Sequence, residues 1–357
     1  MCLAHSQVVD EFADRNELPP FAAGLIDTLN KAGTAMSLSI GHRTGMFDAM
    51  RGGEALDADG WAARTELRPR YVAEWLGAMT TAGVVRIDED GRYSLPEEHA
   101  LFLGEDAPAG SMTGMMQWVG VLAPVESEIV ECFRKGGGVP YSAYPRFHDV
   151  MEEEGRLTFD ADATLGLVPG LVGRLTQGID VLDVGCGRGR SIRILAERFP
   201  NSRFTGYDLS AEAVHTAREN ARGIPNLRFE VLDCMKMTDE DAFDLVFTFD
   251  AIHDQPDPLR LLANIRRAVR ESGVYIGQDI WARSDVADNR AHPLAPFIYT
   301  ISLMHCMTVS LAQGGIGLGA AWGEEKAREL IAEAGFADVA MHRLEHDIQN
   351  AYYVCRP

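Results

Sequence analysis

The stretch that most constrains the fold is VLDVGCGRGR, residues 181–190. It closes an apolar run, IDVLDVG, and opens a helical pattern, GRSIRILAERFP. Gly185, Gly187 and Gly189 let the backbone bend tightly and approach a ligand closely. The spacing is not that of a dinucleotide-binding loop. The third glycine follows two residues after the second, and Arg190 stands where that fingerprint has glycine. Asp183 precedes the bend and would face a ligand with a carboxylate. A pyrophosphate is disfavoured there and a cation is favoured.

From this loop onward, strand and helix patterns alternate. The strands are RFTGYD, LRFEVLD, FDLVFTFD and GVYIGQDI, separated by SAEAVHTARENA, a short turn, and DPLRLLANIRRAV. A late helix, GEEKARELIAEAGF, precedes two last strands, DVAMHRL and AYYVCR. The alternation predicts an α/β region with a parallel sheet covered on both faces. Ligands on such sheets bind beyond the strand carboxyl ends. Asp208 ends the second strand, 19 residues past Gly189, and can accept bonds from both ribose hydroxyls. Asp233 ends the third and can accept a bond from an adenine amino group, with Cys234 and Met235 packing nearby. Three acids at successive strand ends suit a cationic adenosine ligand. For Cys186 and Cys234 the plain alternative is a small buried hydrophobe.

These residues together resemble the class I S-adenosylmethionine-dependent methyltransferases. The resemblance rests on VLDVGCGRG, Asp208 in FTGYDLS, Asp233 in VLDCM, AFDLVFTFDAIHD and the late ARELIAEAGF, over about residues 170–357. It implies a Rossmann-like, doubly wound, seven-stranded mixed sheet. It also implies S-adenosylmethionine as cofactor and S-adenosylhomocysteine as product. The implied cofactor contacts are Asp183, Gly185, Cys186, Gly187, Asp208, Leu209, Asp233, Cys234 and Asp250.

The N-terminal part reads differently. A short helix, a turn, a helix over residues 69–82 and a hairpin with an Asp-Gly turn make a winged-helix pattern. LSIGHRTGMFDAM and YVAEWLGAM are similar to a bacterial subgroup with such a domain, and more distantly to small-molecule O-methyltransferases that dimerise through it. DNA binding needs a basic footprint. Residues 51–100 hold six basic and ten acidic residues, a net −4, with Asp88, Glu89 and Asp90 at the wing tip. The whole chain carries −20, which repels phosphate backbones and anionic membranes. The expected division is a winged-helix-like dimerisation or substrate-cap domain over 1–100, a helical linker and cap over 101–170, and the cofactor-binding domain over 171–357. Residues 281–322 form a lid insertion within that last domain.

Six scattered cysteines without metal-ligand spacing fit reduced thiols in the cytoplasm. The N-terminus lacks the pattern of a signal peptide. Residues 291–323 contain no Asp, Glu, Lys or Arg, but the apolar part is short of the ~20 residues that span a bilayer. Buried protein is the expectation, and no membrane partner.

FDAIHDQPDP, residues 249–258, carries the candidate chemistry. His253 lies past the fourth strand, beside the methyl group that the resemblance implies. A phenol, with pKa ~10, is a poor nucleophile while protonated. A histidine near ~6.5 can take that proton during an in-line displacement. Asp254 or Asp257 can fix its tautomer. A loop-anchoring role for His253 is the alternative. Asp257 before Pro258 also suits a helix cap. His253 and Asp254 resemble the His-Asp pair of many O-methyltransferases, although Gln255-Pro256 replaces the aromatic step of the plant enzymes. Acceptor contacts are expected from Tyr141, Tyr144 and His148 after a glycine run, and from Met304, His305 and Trp322 in the insertion. Plain helical core is the competing reading for the insertion. No metal site is expected.

The reaction expected is O-methylation of a small aromatic or apolar molecule by a homodimer. Alternatives are transfer to nitrogen, sulfur or carbon, a cofactor-sensing DNA-binding regulator, and a nicotinamide dehydrogenase.

Overall fold

A computed structural model describes residues 18–357. The N-terminal stretch read for a signal peptide, and the start of the 1–100 domain, lie largely outside the described residues. The chain divides into two compact units, residues 1–120 and 121–357. The helical stretch over 101–170 is thus shared between the two units.

In the first unit, α1 (Pro20–Arg43) begins with proline in its first turn, where the missing N–H costs nothing. Two short helices follow, α2 (Met46–Met50) and α3 (Ala58–Thr65). The Asp57 side chain caps α3 by accepting from the Gly60 N–H at 2.8 Å. Helix α4 (Pro69–Thr81) again starts on proline. Strands β1 (Arg86–Ile87) and β2 (Tyr93–Ser94) pair antiparallel, with Ile87 opposite Tyr93. Asp88 closes the wing by accepting from the N–H groups of Asp90 and Arg92. Met46, Phe47, Trp61, Leu76 and Met79 are buried beneath these elements. The Phe47 and Trp75 rings meet edge-on at 5.2 Å. Gly41 permits that packing, because a Cβ there would lie 2.4 Å from Trp75.

The second unit holds a seven-stranded sheet in the order β5-β4-β3-β6-β7-β9-β8. The strands are β3 (Asp180–Val184), β4 (Arg203–Asp208), β5 (Leu227–Val231), β6 (Phe243–Phe249), β7 (Val269–Ile280), β8 (Asp338–His342) and β9 (Asn350–Arg356). Strands β3 to β7 run parallel, and β9 runs antiparallel to both neighbours. The parallel strands read as continuous apolar runs because both faces are covered. Side chains alternate between the faces. Val181, Leu245 and Phe247 join one core with Leu195, Phe204 and Phe229. Leu182 and Val246 join the other with Leu262, Ile265 and Tyr353. Each such side chain, fully buried, contributes roughly 1.5–3 kcal/mol.

Helices α7 (Arg190–Arg198), α8 (Ala211–Asn220), α9 (Pro258–Ala268) and α12 (Gly323–Glu333) connect the strands. Before the sheet come α5 (Glu126–Lys135) and α6 (Phe147–Thr158). Strand order reverses between β3 and its neighbours β4 and β6, and crevices form at such points.

Between β7 and α12 the chain makes α10 (Ala295–Ile301), a π-helical turn (Ser302–Cys306) and α11 (Met307–Ala312). Together Ala295–Ala312 span 18 residues at mean hydropathy 1.4, long and apolar enough to cross a bilayer. The apolar run is therefore longer than the sequence reading allowed. Its polar groups, however, serve the rest of this unit. Ser310 Oγ donates to the Gln255 carbonyl at 2.8 Å, and Thr308 Oγ1 accepts from the Val139 N–H at 2.8 Å.

Candidate active site

The glycine bend sits where β3 ends. Gly185, Gly187 and Gly189 have φ of 76°, 53° and 73°, in the left-handed region that side chains disfavour. The Gly185 and Cys186 N–H groups donate to the Tyr207 carbonyl at 2.8 and 3.0 Å, tying the bend to β4. A Cβ on Gly189 would lie 2.3 Å from the Phe229 ring. The Asp208 carboxylate holds the bend from the next strand. It accepts from the Gly187 N–H and the Ser210 N–H, each at 2.8 Å. Leu209 beside it is 57 % exposed. Asp233 accepts from the Met235 N–H at 3.0 Å and caps a short turn after β5.

Three buried oxygens around the bend have no protein partner: Asp183 Oδ1, Asp250 Oδ1 and Gln278 Oε1. Each such orphan costs about 1–3 kcal/mol unless a ligand supplies a donor. They line a cleft of about 100 Å³ together with the bend, Phe249 and residues of α6, including His148 and Met151. Asp250 has φ 51°, in the left-handed region that few side chains other than Asn and Asp adopt. Its other oxygen accepts from Gln278 Nε2 at 2.9 Å. Burial, then repulsion from Asp208, pushes the Asp183 carboxyl up to about 8. Burial, then Asp279, pushes Asp250 well above the usual carboxylate range. Both groups therefore hold a proton near neutral pH unless a cation lies against them.

Arg188 ties the bend to α6 and α8, with Asp149 at 2.5 Å and Glu212 at 2.9 Å. Burial pushes the Cys234 thiol up to about 12 and raises Cys186 strongly, so both stay protonated as small apolar walls.

His253 lies just past β6, 4 % exposed. Its Nδ1 shares a hydrogen bond with Asp279 Oδ1 at 2.6 Å. The expected carboxylate partner, Asp254 or Asp257, is thus replaced by Asp279. The loop turns Asp254 away, to accept from the Tyr141 hydroxyl and from Gln255 Nε2. Asp257 caps α9, accepting from the Arg260 N–H at 3.0 Å. Asp279 Oδ1 is held further by the Ile280 N–H at 2.8 Å and by Trp322 Nε1 at 3.0 Å. Burial works against charge on His253, but the Asp279 carboxylate outweighs it, so the pKa is raised. Asp250, His253 and Asp279 each place a ligand-capable atom within 4.8 Å of the others.

Tyr141, Tyr144 and Phe147 enclose His305. Ring centroids lie 5.4 and 4.7 Å away for the tyrosines, and Phe147 stacks at 4.4 Å. The Tyr144 hydroxyl donates to the Met304 carbonyl at 2.5 Å. Burial, with repulsion from His253 and His148, lowers His305 to about 3 and keeps it neutral. Tyr141, Tyr144, Met304 and His305 therefore come together. His148 lines the cofactor cleft instead, and Trp322 is spent on Asp279. Asp279 escaped the sequence reading, although GQDI ends a strand in an acid just as the preceding strands do.

Comparison with known proteins bears on the domains and the fold. Residues 175–335 match the family model of a methyltransferase domain, and residues 32–105 that of an Rv2258c-like winged HTH domain. The chain thus carries a methyltransferase domain behind a winged helix-turn-helix domain. The cofactor of that domain is S-adenosylmethionine, and the cradle fits it. The unpartnered Asp183 and Asp250 oxygens suit its cationic sulfur, while the Asp208 and Asp233 carboxylates stand at or just past the ends of β4 and β5, outside the lining of the cleft.

The trans-aconitate 2-methyltransferase of Deinococcus radiodurans is 38% identical over 110 residues, 31% of this chain and 41% of that protein. That of Variovorax paradoxus is 33% identical over 141 residues, 39% and 49% of the two chains. The matched part thus spans less than half the length of these curated relatives. Human N-acetylserotonin methyltransferase, solved with S-adenosylmethionine, superposes with TM-score 0.69 at 18% identity, covering 95% of this chain and 99% of that one. An O-methyltransferase family protein from Burkholderia thailandensis gives 0.63 at 16% identity, covering 94% and 97%. These likenesses define the fold.

Proposed function

We propose that the protein transfers the methyl group of S-adenosylmethionine to a hydroxyl of a small aromatic or apolar molecule, with His253 as general base. The observation that carries this is the buried His253–Asp279 pair at the ends of β6 and β7, next to the cofactor cleft. When bound, the cofactor supplies a methyl group on a cationic sulfur. Asp279 holds Nδ1–H, which leaves Nε2 to take the proton of the acceptor. The same carboxylate stabilises the imidazolium that results. General-base help of this kind is worth about 10²–10⁴-fold.

Acidic side chains at Asp250, Asp254 and Asp279 disfavour a polycarboxylate acceptor such as trans-aconitate. Aromatic side chains at Tyr144 and Phe147 favour a flat apolar one. The test is methyl transfer from labelled cofactor to a panel of small phenols. His253→Ala should lose about 10²–10⁴-fold in turnover while binding the cofactor as before. Full turnover in that variant removes the base.

Phe21, Leu25, Leu29, Met36 and Ile40 are exposed along α1 at helical spacing. Such a stripe supports a homodimer in which α1 packs on a second copy. The unpaired cysteines 132, 186, 234, 306 and 355 support a reducing, cytoplasmic setting.

A further inference from the structure

We infer that Tyr141 fills the seat of the acceptor's ring beside His253, and that the ligand this seat takes is a single-ring phenol. The inference rests on the methyl-transfer reading above.

Tyr141 sits on a strap, residues 136–146, that follows α5. Gly136 and Gly137 turn the strap in left-handed conformations, φ 72° and 82°. Gly138 then docks against α11 so closely that a Cβ would lie 2.0 Å from the Thr308 carbonyl oxygen. The next N–H, of Val139, donates to Thr308 Oγ1 at 2.8 Å. Pinned there, the strap sends the Tyr141 ring inward. Its hydroxyl donates to Asp254, the residue after His253. Its ring meets His305 and Phe147 edge-on at 5.4 and 5.6 Å.

The Tyr141 hydroxyl is bonded to the residue after His253, and its ring packs on His305 of the π-helical turn. The cleft described above reaches Asp250 and Gln278, but His253 is not among its lining residues. The space that an acceptor needs next to the base is occupied by a phenol from the protein's own chain. Tyr141 is a plug and not a substrate. Burial, then the Asp254 carboxylate, raises its hydroxyl well above the ordinary phenol value, so it keeps its proton. For an acceptor to enter, the strap must swing out, and the glycines at 136–138 are where it can hinge.

The experiment replaces the side chain by its free counterpart. Tyr141→Gly removes the p-hydroxybenzyl group and leaves an apolar, ring-sized space of the kind that binds aromatic ligands. Calorimetry without cofactor should show p-cresol binding to Tyr141→Gly at least about tenfold more tightly than to the wild type or Tyr141→Phe. With S-adenosylmethionine added, p-cresol should become 4-methylanisole. The O–CH₃ bond forms, the S–CH₃ bond breaks, and the phenol proton passes to His253. His253→Ala combined with Tyr141→Gly should bind p-cresol and not methylate it.

Equal p-cresol affinity in all three proteins overturns the inference. So does binding without methylation by a protein that demonstrably binds the cofactor, or equal methylation by the wild type. Tyr141→Ala serves if the glycine variant does not fold. Failure to bind S-adenosylmethionine would instead overturn the methyl-transfer reading, while the cofactor-free p-cresol titration still reports on the seat.

Discussion

Asp279 controls the chemistry proposed for His253. Its charge and hydrogen bond raise the imidazole pKa against burial. The acid limb of the pH–rate profile should therefore lie above the ordinary histidine value of ~6.5. Asp279→Asn should move that limb down and lower turnover by about 10²–10⁴-fold, as the tautomer is freed. An unmoved limb would separate His253 from the rate. Asp183 gives a second pH signature. Its carboxyl is raised to about 8 in the folded protein, above the unfolded carboxylate value. The folded state therefore holds the proton more tightly than the unfolded one, so stability falls as pH rises from the ordinary carboxylate value of ~3.9 to about 8. Thermal unfolding of Asp183→Asn should depend less on pH over that window than the wild type. At residue scale the acids of the bend were legible because strand ends and loop spacing place them. The partner of His253 was not. Which carboxylate meets an imidazole depends on the side chains of two strands adjacent in space and 26 residues apart in sequence.

Elements built from local rules agree with their sequence patterns. Helix α4 starts on Pro69 and ends one residue before the expected stop, and the wing turns at Asp90-Gly91. Strands β3 to β7 were readable as apolar runs closed by turn residues. The π-helical turn at Ser302–Cys306 was not readable, since one extra residue per turn leaves no mark on an uncharged apolar stretch. Its consequence is local: it carries His305 in the aromatic cage and buries Cys306 beside it. The docking of the strap on α11 depends equally on tertiary contact. Gly138→Ala should break it, because no shift of a side chain relieves a 2.0 Å approach to a backbone oxygen. Limited proteolysis should then cut within residues 136–146 faster than in the wild type, with cofactor affinity unchanged within about twofold. An unchanged cleavage rate would mean that the strap is not held at Gly138.

At the scale of the whole molecule, two separately packed units carry separate properties. The first has an acidic wing and a long helix with an exposed apolar stripe. The second has the sheet and the reacting groups. Leu25→Glu with Leu29→Glu should shift light-scattering mass from dimer to monomer and leave cofactor binding intact. A monomeric wild type would instead remove the interface.

The central claim is that buried, unpartnered carboxylate oxygens at β3 and β6 form a seat for a cationic sulfur nucleoside. Calorimetric titration with S-adenosylmethionine in buffers of different ionisation enthalpy tests it most directly. One molecule should bind per chain at pH 7, with release of a proton as Asp183 ionises against the ligand, and Asp183→Asn should weaken binding by about tenfold or more. Absence of binding by both S-adenosylmethionine and S-adenosylhomocysteine, or binding without proton release, would contradict it.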